Sequence, residues 1–230
     1  MSLEIVHGYI LKIISYGESD IIAHLFTKEY GKIGVFVKSY KKSKKRYQGT
    51  IDRYLYNEFE VDIKENKLSI LKNSKIIDPL INLRNDPSKL IYAEHMSELF
   101  FNMLQAEKEE FEEFDRILHF IAMVDEMRYS HLLVIRFNIL TQAGIMPFIN
   151  NIEDLLYSSI DFKFDKINGS IRITEKQAKF LILYQNNNEE LFNYDFDDYE
   201  KKIFGKIFST LYYSITSKPL LTIELLKEFI

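Results

Sequence analysis

Apolar and polar positions alternate with a period of two over the first third of the chain, and with a helical period afterwards. Ile10, Lys12 and Ile14 lie in an extended, β-branched run, and Asp20 to Phe26 forms another. From Gly31 to Val37, Ile33, Val35 and Val37 share one face, opposite residues that are polar or small apart from Phe36. Leu55, Phe59, Val61 and Ile63 share a face, with Tyr54, Tyr56, Glu58, Glu60 and Asp62 on the other side. Leu68 to Ile77 supplies a fifth strand after the turn-like Glu65-Asn66-Lys67. Such alternation places one set of side chains in a core and the other outside it. Lys28 to Lys32 reads as a short hairpin connection.

After Asp78-Pro79 the period changes. Asp86-Pro87 predicts a helix start, with the aspartate capping and proline at the first helical position. Ala93, Met96, Phe100 and Met103 recur at helical spacing; Phe111, Phe114, Ile117 or Leu118, Ile121 and Val124 form a second stripe, and His131 to Leu140 a third. Gly144 and Pro147 end that run, and Phe148 to Ile173 is irregular, with Asn168-Gly169 as a turn signal. Helical patterns return at Thr174 to Tyr184, Tyr199 to Thr216 and Pro219 to Phe229, and Thr174 to Gln177 has the spacing of a capping box. The reading is an α+β protein. Residues 1–80 form a five-stranded Greek-key β-barrel such as the OB-fold, although a sheet sandwich gives a similar pattern. Residues 81–230 form an all-α domain carrying a small irregular subdomain at 148–173.

The charge is segregated in a way the net value of −4 conceals. Lys38, Lys41, Lys42, Lys44, Lys45, Arg46 and Arg53 stand against the single acid Asp52, while Glu107, Glu109, Glu110, Glu112, Glu113 and Asp115 crowd a later segment. A lysine-rich loop between two strands attracts phosphates with little sequence dependence. Tyr40, Tyr47, Tyr54 and Tyr56 near it could stack bases, or could equally be covered sheet residues. The loop itself also has the plainer reading of a solvated surface, and the acidic run that of a solvated helix face.

Other chemistry finds little support. The chain has no cysteine, which excludes disulfides and thiolate ligands, and His7, His24, His95, His119 and His131 show no paired metal-ligand spacing. Neither a Gly-x-Ser-x-Gly elbow nor a phosphate-binding glycine loop occurs. No cofactor, metal or enzymatic activity is expected. No signal peptide is read at Met1-Ser2-Leu3-Glu4, and no apolar run reaches the ~18 residues that span a bilayer, so a cytoplasmic, nucleoid-associated protein is expected.

Three ordered blocks carry a resemblance. They are Tyr16-Gly17-Glu18-Ser19-Asp20, then Leu25-Phe26-Thr27 through Gly31-Lys32, then Lys38-Ser39-Tyr40-Lys41-Lys42-Ser43-Lys44. This set resembles the N-terminal domain of the RecO family of recombination mediators, whose pattern runs Y-G-E-x-D, L-F-T-x-x-x-G-K and a basic segment. Later, Leu140 with Gly144-Ile145-Met146-Pro147, and Lys218-Pro219-Leu220, resemble that family's L-x-x-x-G-x-x-P and K-P-L patterns. Two departures stand out. The four-cysteine zinc knuckle that many members carry is absent from 148–173. Ser39-Tyr40 also replaces Gly-x-Arg in the basic segment, which leaves lysine without arginine's bidentate fork.

The resemblance implies an OB-fold that binds single- and double-stranded DNA, anneals complementary strands and helps load recombinase onto strands covered by single-strand-binding protein. It implies RecR and the acidic C-terminal tail of the single-strand-binding protein as partners. The expected nucleic-acid-binding residues are Lys38, Lys41, Lys42, Lys44, Lys45 and Arg46, with Lys28 and Lys32 as further members. Arg128 and Arg136 are the candidates for the tail, although Arg136 could simply cap or pair with the acidic helix. The alternatives are an adaptor of the same fold whose DNA binding is minor, and an OB-fold RNA-binding protein.

Overall fold

The computed structural model describes residues 2–43, 47, 49–64, 67–104 and 107–226. Five strands, β1 (Ser2–Tyr16), β2 (Asp20–Thr27), β3 (Gly31–Val37), β4 (Tyr56–Ile63) and β5 (Ser69–Asp78), form a closed barrel in the order β1-β2-β3-β5-β4. Every pairing is antiparallel except the short β3–β5 contact, Val35 to Ser69 and Phe36 to Ile70. This is the OB-type barrel that the alternation predicted. Its core holds Val6, Ile10, Ile21, Ala23, Leu25, Val35, Val37, Phe59, Val61 and Leu71, the inward half of each strand. Burial of these side chains is the main driving force for closure. Gly8 is required by a close approach, since a Cβ there would stand 2.0 Å from the Phe26 carbonyl oxygen.

Helices follow as α1 (Ile81–Arg84), α2 (Pro87–Met103), α3 (Phe111–Met123) and α4 (Tyr129–Gln142). Asp86 caps α2 as its sequence predicts, accepting from the Ser88 and Lys89 N–H groups, with Pro87 at the first helical position. The hydrogen bond from the Ser88 hydroxyl does most to hold the Asp86 carboxyl below its ordinary range. In α3, Phe111, Phe114, Ile117, Leu118 and Ile121 are buried along one stripe. Phe111 and Phe114 pack against Tyr9 and Phe26 on the outside of the barrel, and the Tyr9 hydroxyl donates to Asp115 at 2.5 Å. Lys89 on α2 donates to the Ala122 carbonyl on α3 at 3.0 Å.

The chain divides into two compact units, residues 1–93 with 104–124, and residues 94–103 with 125–230. The second contains α4, then β6 (Leu156–Ser158), β7 (Lys163–Asp165) and β8 (Ile171–Arg172), then α5 (Glu175–Gln185), α6 (Asp198–Thr216) and α7 (Ile223–Leu226). The three strands make a small antiparallel sheet in the order β7-β6-β8, inside the stretch that shows no period in sequence. Strands of two or three residues are too short for alternation to register. Thr174 accepts from the Gln177 N–H in the expected capping box, and the last turns of α2 contribute buried Met96, Leu99 and Phe100 to this unit. Of the helix predicted over Pro219 to Phe229, only Ile223–Leu226 is helical among the described residues.

Candidate nucleic-acid interface and peptide groove

Because Ile21, Ala23, Val35 and Val37 point into the barrel, their neighbours Ile22, His24 and Phe36 point out. Strand register then lines up Ile14, Ile22, Phe36 and Ile70 as a row across β1, β2, β3 and β5. Tyr16, 57% exposed, sets its ring edge-on to Phe36 at 5.7 Å. One register step along, Lys12 faces His24, and Lys32 lies on the adjoining strand. The His24 imidazole is held below its ordinary pKa, first by partial burial and then by the positive charges of Lys12 and Lys32. An apolar and aromatic row thus has a basic group on one flank.

The other flank is the loop that follows β3. Lys38, Lys41 and Lys42 are exposed and form no ion pair among the described residues. The Asp20 carboxylate fixes the loop, accepting from the Ser39 N–H at 2.7 Å, and the Lys41 N–H donates to the Ser19 carbonyl at 2.9 Å. Lys44, Lys45 and Arg46 lie outside the described residues. Lys28 stands elsewhere, in the exposed turn at the other end of β2 with Glu29 and Tyr30. Six residue steps along the strand separate it from Ile22, about 20 Å at the rise of an extended chain.

The neighbouring tyrosines are mostly structural. Tyr47 is 3% and Tyr54 4% exposed. Tyr47 caps the barrel core, its hydroxyl donating to the Leu71 carbonyl at 3.2 Å, and Tyr40 packs 6.4 Å from it, ring to ring. Tyr56 lies against Tyr9 at 5.2 Å. Bases have no access to the buried rings of Tyr47 and Tyr54, so the aromatic surface on this side is Tyr16 and Phe36 instead.

In the second unit, α4, α6 and α7 line a groove of about 510 Å³. Its walls include Tyr129, Arg136, Lys201, Lys202, Lys206, Ile223 and Leu226, together with the acid Asp198. Arg136 is 3% exposed overall; its Nε donates to His95 Nε2 at 3.0 Å, and its guanidinium sits 4.6 Å above the Phe208 ring. The guanidinium is therefore seated against a histidine and a ring. The Tyr129 hydroxyl donates to the Lys201 carbonyl at 2.9 Å, and burial pushes this phenol up. Arg128 caps α4 as an exposed residue and is not part of the groove lining. Among the described residues no cluster of three or more His, Asp or Glu could hold a metal ion, and no helix is long and apolar enough to cross a membrane.

Residues 1–80 match the family model for the N-terminal domain of recombination protein O. The DNA repair protein RecO of Pelobacter propionicus is 32% identical over 99 residues, 43% of this chain and 40% of that protein. That of Shouchella clausii is 29% identical over 140 residues, covering 60% and 54%. That of Acetivibrio thermocellus is 22% identical over 218 residues, covering 87% and 86%. Residues 1–80 carry the RecO N-terminal domain, and the rest of the chain is similar to RecO proteins at lower identity. Its matches span about half the length or less of the first two relatives, and most of the third.

The RecO motif blocks hold turns in place beside the basic groups. Gly17 takes a φ of 59° in the β1–β2 turn, and Asp20 ties that turn to the basic loop. Thr27 donates to the Gly31 carbonyl at 2.9 Å and accepts from the Tyr30 N–H at 3.1 Å, closing the β2–β3 turn with Gly31 at φ 64°. Gly144, at φ 71°, ends α4, with the Ile145 N–H returning to the Leu140 carbonyl at 2.9 Å. The reading from sequence missed Lys12, His24, Tyr16 and Phe36, which only strand register brings together. It also missed Lys201, Lys202 and Lys206, whose spacing on α6 was the available signal.

Proposed function

We propose that this chain, with its RecO N-terminal domain, acts in DNA repair and homologous recombination. In this reading it binds single- and double-stranded DNA, anneals complementary strands and helps load a recombinase onto strands covered by single-strand-binding protein. The observation that carries it is the barrel face on which Tyr16, Phe36 and the isoleucine row lie between Lys12, His24 and Lys32 on one flank and Lys38, Lys41 and Lys42 on the other. Rings stack bases without regard to sequence, and flanking lysines neutralise phosphates and release counterions. Screening two backbones at once lowers the repulsion that opposes pairing. No covalent step is needed, so this is a mediator without catalytic residues. Lys44, Lys45 and Arg46 extend the basic loop in sequence and belong to the proposed phosphate-binding set.

The groove favours a partner as well. An apolar cleft with Arg136 inside and Lys201, Lys202 and Lys206 around it complements an acidic, apolar peptide that ends in a carboxylate. The tail of single-strand-binding protein has that chemistry, and RecR is the proposed second partner. If docking at the groove dominates and DNA binding is minor, the protein is an adaptor. Fluorescence anisotropy of labelled single-stranded DNA across a salt series, followed by strand annealing, separates the two. The mediator predicts salt-sensitive binding and faster annealing. Replacing Lys38, Lys41 and Lys42 with alanine should lower the log–log salt slope by up to ~0.7 for every single-strand phosphate left without its lysine. Absence of binding at low salt leaves the adaptor.

A further inference from the structure

We infer that His95 is the positioning residue for Arg136, and that through Thr222 it joins the guanidinium of the groove to the C-terminal wall of the same groove. The inference rests on the reading of that groove as a site for a peptide carboxylate.

Arginine Nε always carries its proton, so the 3.0 Å contact requires a lone pair on His95 Nε2. The ring proton then resides on Nδ1, which donates to Thr222 Oγ1 at 2.7 Å. Burial and the neighbouring Arg136 both keep His95 neutral, which preserves this tautomer. Phe208 lies under the guanidinium and within 6.1 Å of the imidazole, ring to ring. A side chain held along one edge and across one face has already lost much of its rotamer freedom. A carboxylate arriving at such a group meets a preorganised partner.

The wall is held by the same helix. Glu98 accepts the Leu221 and Thr222 N–H groups, both at 2.8 Å, immediately before α7 supplies Ile223 and Leu226 to the groove. His95 and Glu98, three residues apart on one face of α2, therefore fix both the anion-binding group and the apolar wall opposite it. Asn102, one turn on, donates to the Tyr212 hydroxyl of α6 at 2.9 Å. Thr222, His95 and Arg136 form one continuous polar chain in an otherwise apolar interior. Carboxylate recognition and seating of the C-terminal segment are thereby coupled.

The test uses the full chain and two labelled synthetic nonapeptides, acidic at the N-terminal end and apolar at the C-terminal end, identical except that one ends in a free carboxylate and the other in an amide. The parent should bind the free acid about tenfold more tightly. His95→Leu should reduce that preference to about threefold or less. His95→Gln, whose amide oxygen can accept from Arg136 Nε, should restore most of it. Full preference in a folded His95→Leu variant overturns the positioning role. If the parent shows no preference, the carboxylate reading of the groove fails instead. NMR of the Arg136 Nε–H then decides His95 independently. Slow hydrogen exchange that is lost in His95→Leu upholds the link, and exchange as fast as that of a surface arginine overturns it.

Discussion

The Ser39 backbone N–H donates to the Asp20 carboxylate at 2.7 Å, and this bond, with that from the Lys41 N–H to the Ser19 carbonyl, joins the β1–β2 turn to the start of the basic loop. Ser39 holds a φ of 57° there, and the Lys42 and Ser43 N–H groups close back onto its carbonyl. The motif aspartate thus gives a lysine-bearing loop a fixed starting point. Asp20→Ala should cost about 1–2 kcal/mol in chemical denaturation, as expected for a half-buried charged acceptor. Asp20→Asn keeps an acceptor oxygen and should cost less than half as much; equal losses in the two variants would contradict this assignment.

The aromatic and basic parts of the barrel face should separate in a salt series. Tyr16→Ala and Phe36→Ala should each weaken single-stranded DNA binding by ~1–3 kcal/mol per base stacked, with an unchanged salt slope. Lys12→Ala and Lys32→Ala should instead flatten the slope by ~0.7 for each phosphate no longer neutralised. A changed slope in the aromatic variants would place the DNA elsewhere.

Tyr157 offers a pH signature. It is fully buried, its hydroxyl has no hydrogen-bond partner among the described residues, and burial pushes the phenol up to about 12. An unfolded tyrosine ionises near ~10. The folded state therefore keeps the proton while the unfolded state releases it. The resulting stability is intact below pH ~10 and is lost as pH rises through about 12. Tyr157→Phe should be neutral, or up to ~1 kcal/mol stabilising, at pH 7, because it removes an unsatisfied hydroxyl. At pH 11 its advantage should grow by roughly another 1 kcal/mol. Denaturant midpoints at the two pH values measure both quantities.

Gly8→Ala should destabilise the barrel by about 3 kcal/mol or more, because the added carbon would stand 2.0 Å from the Phe26 carbonyl. Backbone oxygen in a paired strand cannot retreat as a side chain would. A thermal melt of the variant is sufficient, and a loss below about 1 kcal/mol would mean that the strands there have more room.

Much of this architecture was legible because it repeats. The inward faces of β2 to β4 alternate, and the α3 stripe, the Asp86 cap and the Thr174 capping box follow their local rules. β1 is harder to read over its full 15 residues, since Leu3, Ile5 and Tyr9 put apolar side chains on the outer face as well. Tyr9 is apolar-facing for a reason that lies about a hundred residues away in the chain, in Phe111 and Phe114. The same is true of the site. The lysine-rich loop is contiguous in sequence, whereas Lys12, His24 and Lys32 meet only through strand pairing, and His95 reaches Arg136 from another helix.

The packing of α3 on the barrel limits how far the barrel can travel alone. Tyr9 and Phe26 are completely shielded only because the chain leaves for the second unit along α2 and comes back to lay Phe111 and Phe114 over them. A fragment cut at residue 80 would keep all five strands yet turn both rings out to water, each at a cost of roughly 1.5–3 kcal/mol. It would also gain a sticky spot where the native protein has a covered one. The portable cassette in this molecule is therefore longer than its sheet, and it is discontinuous in sequence.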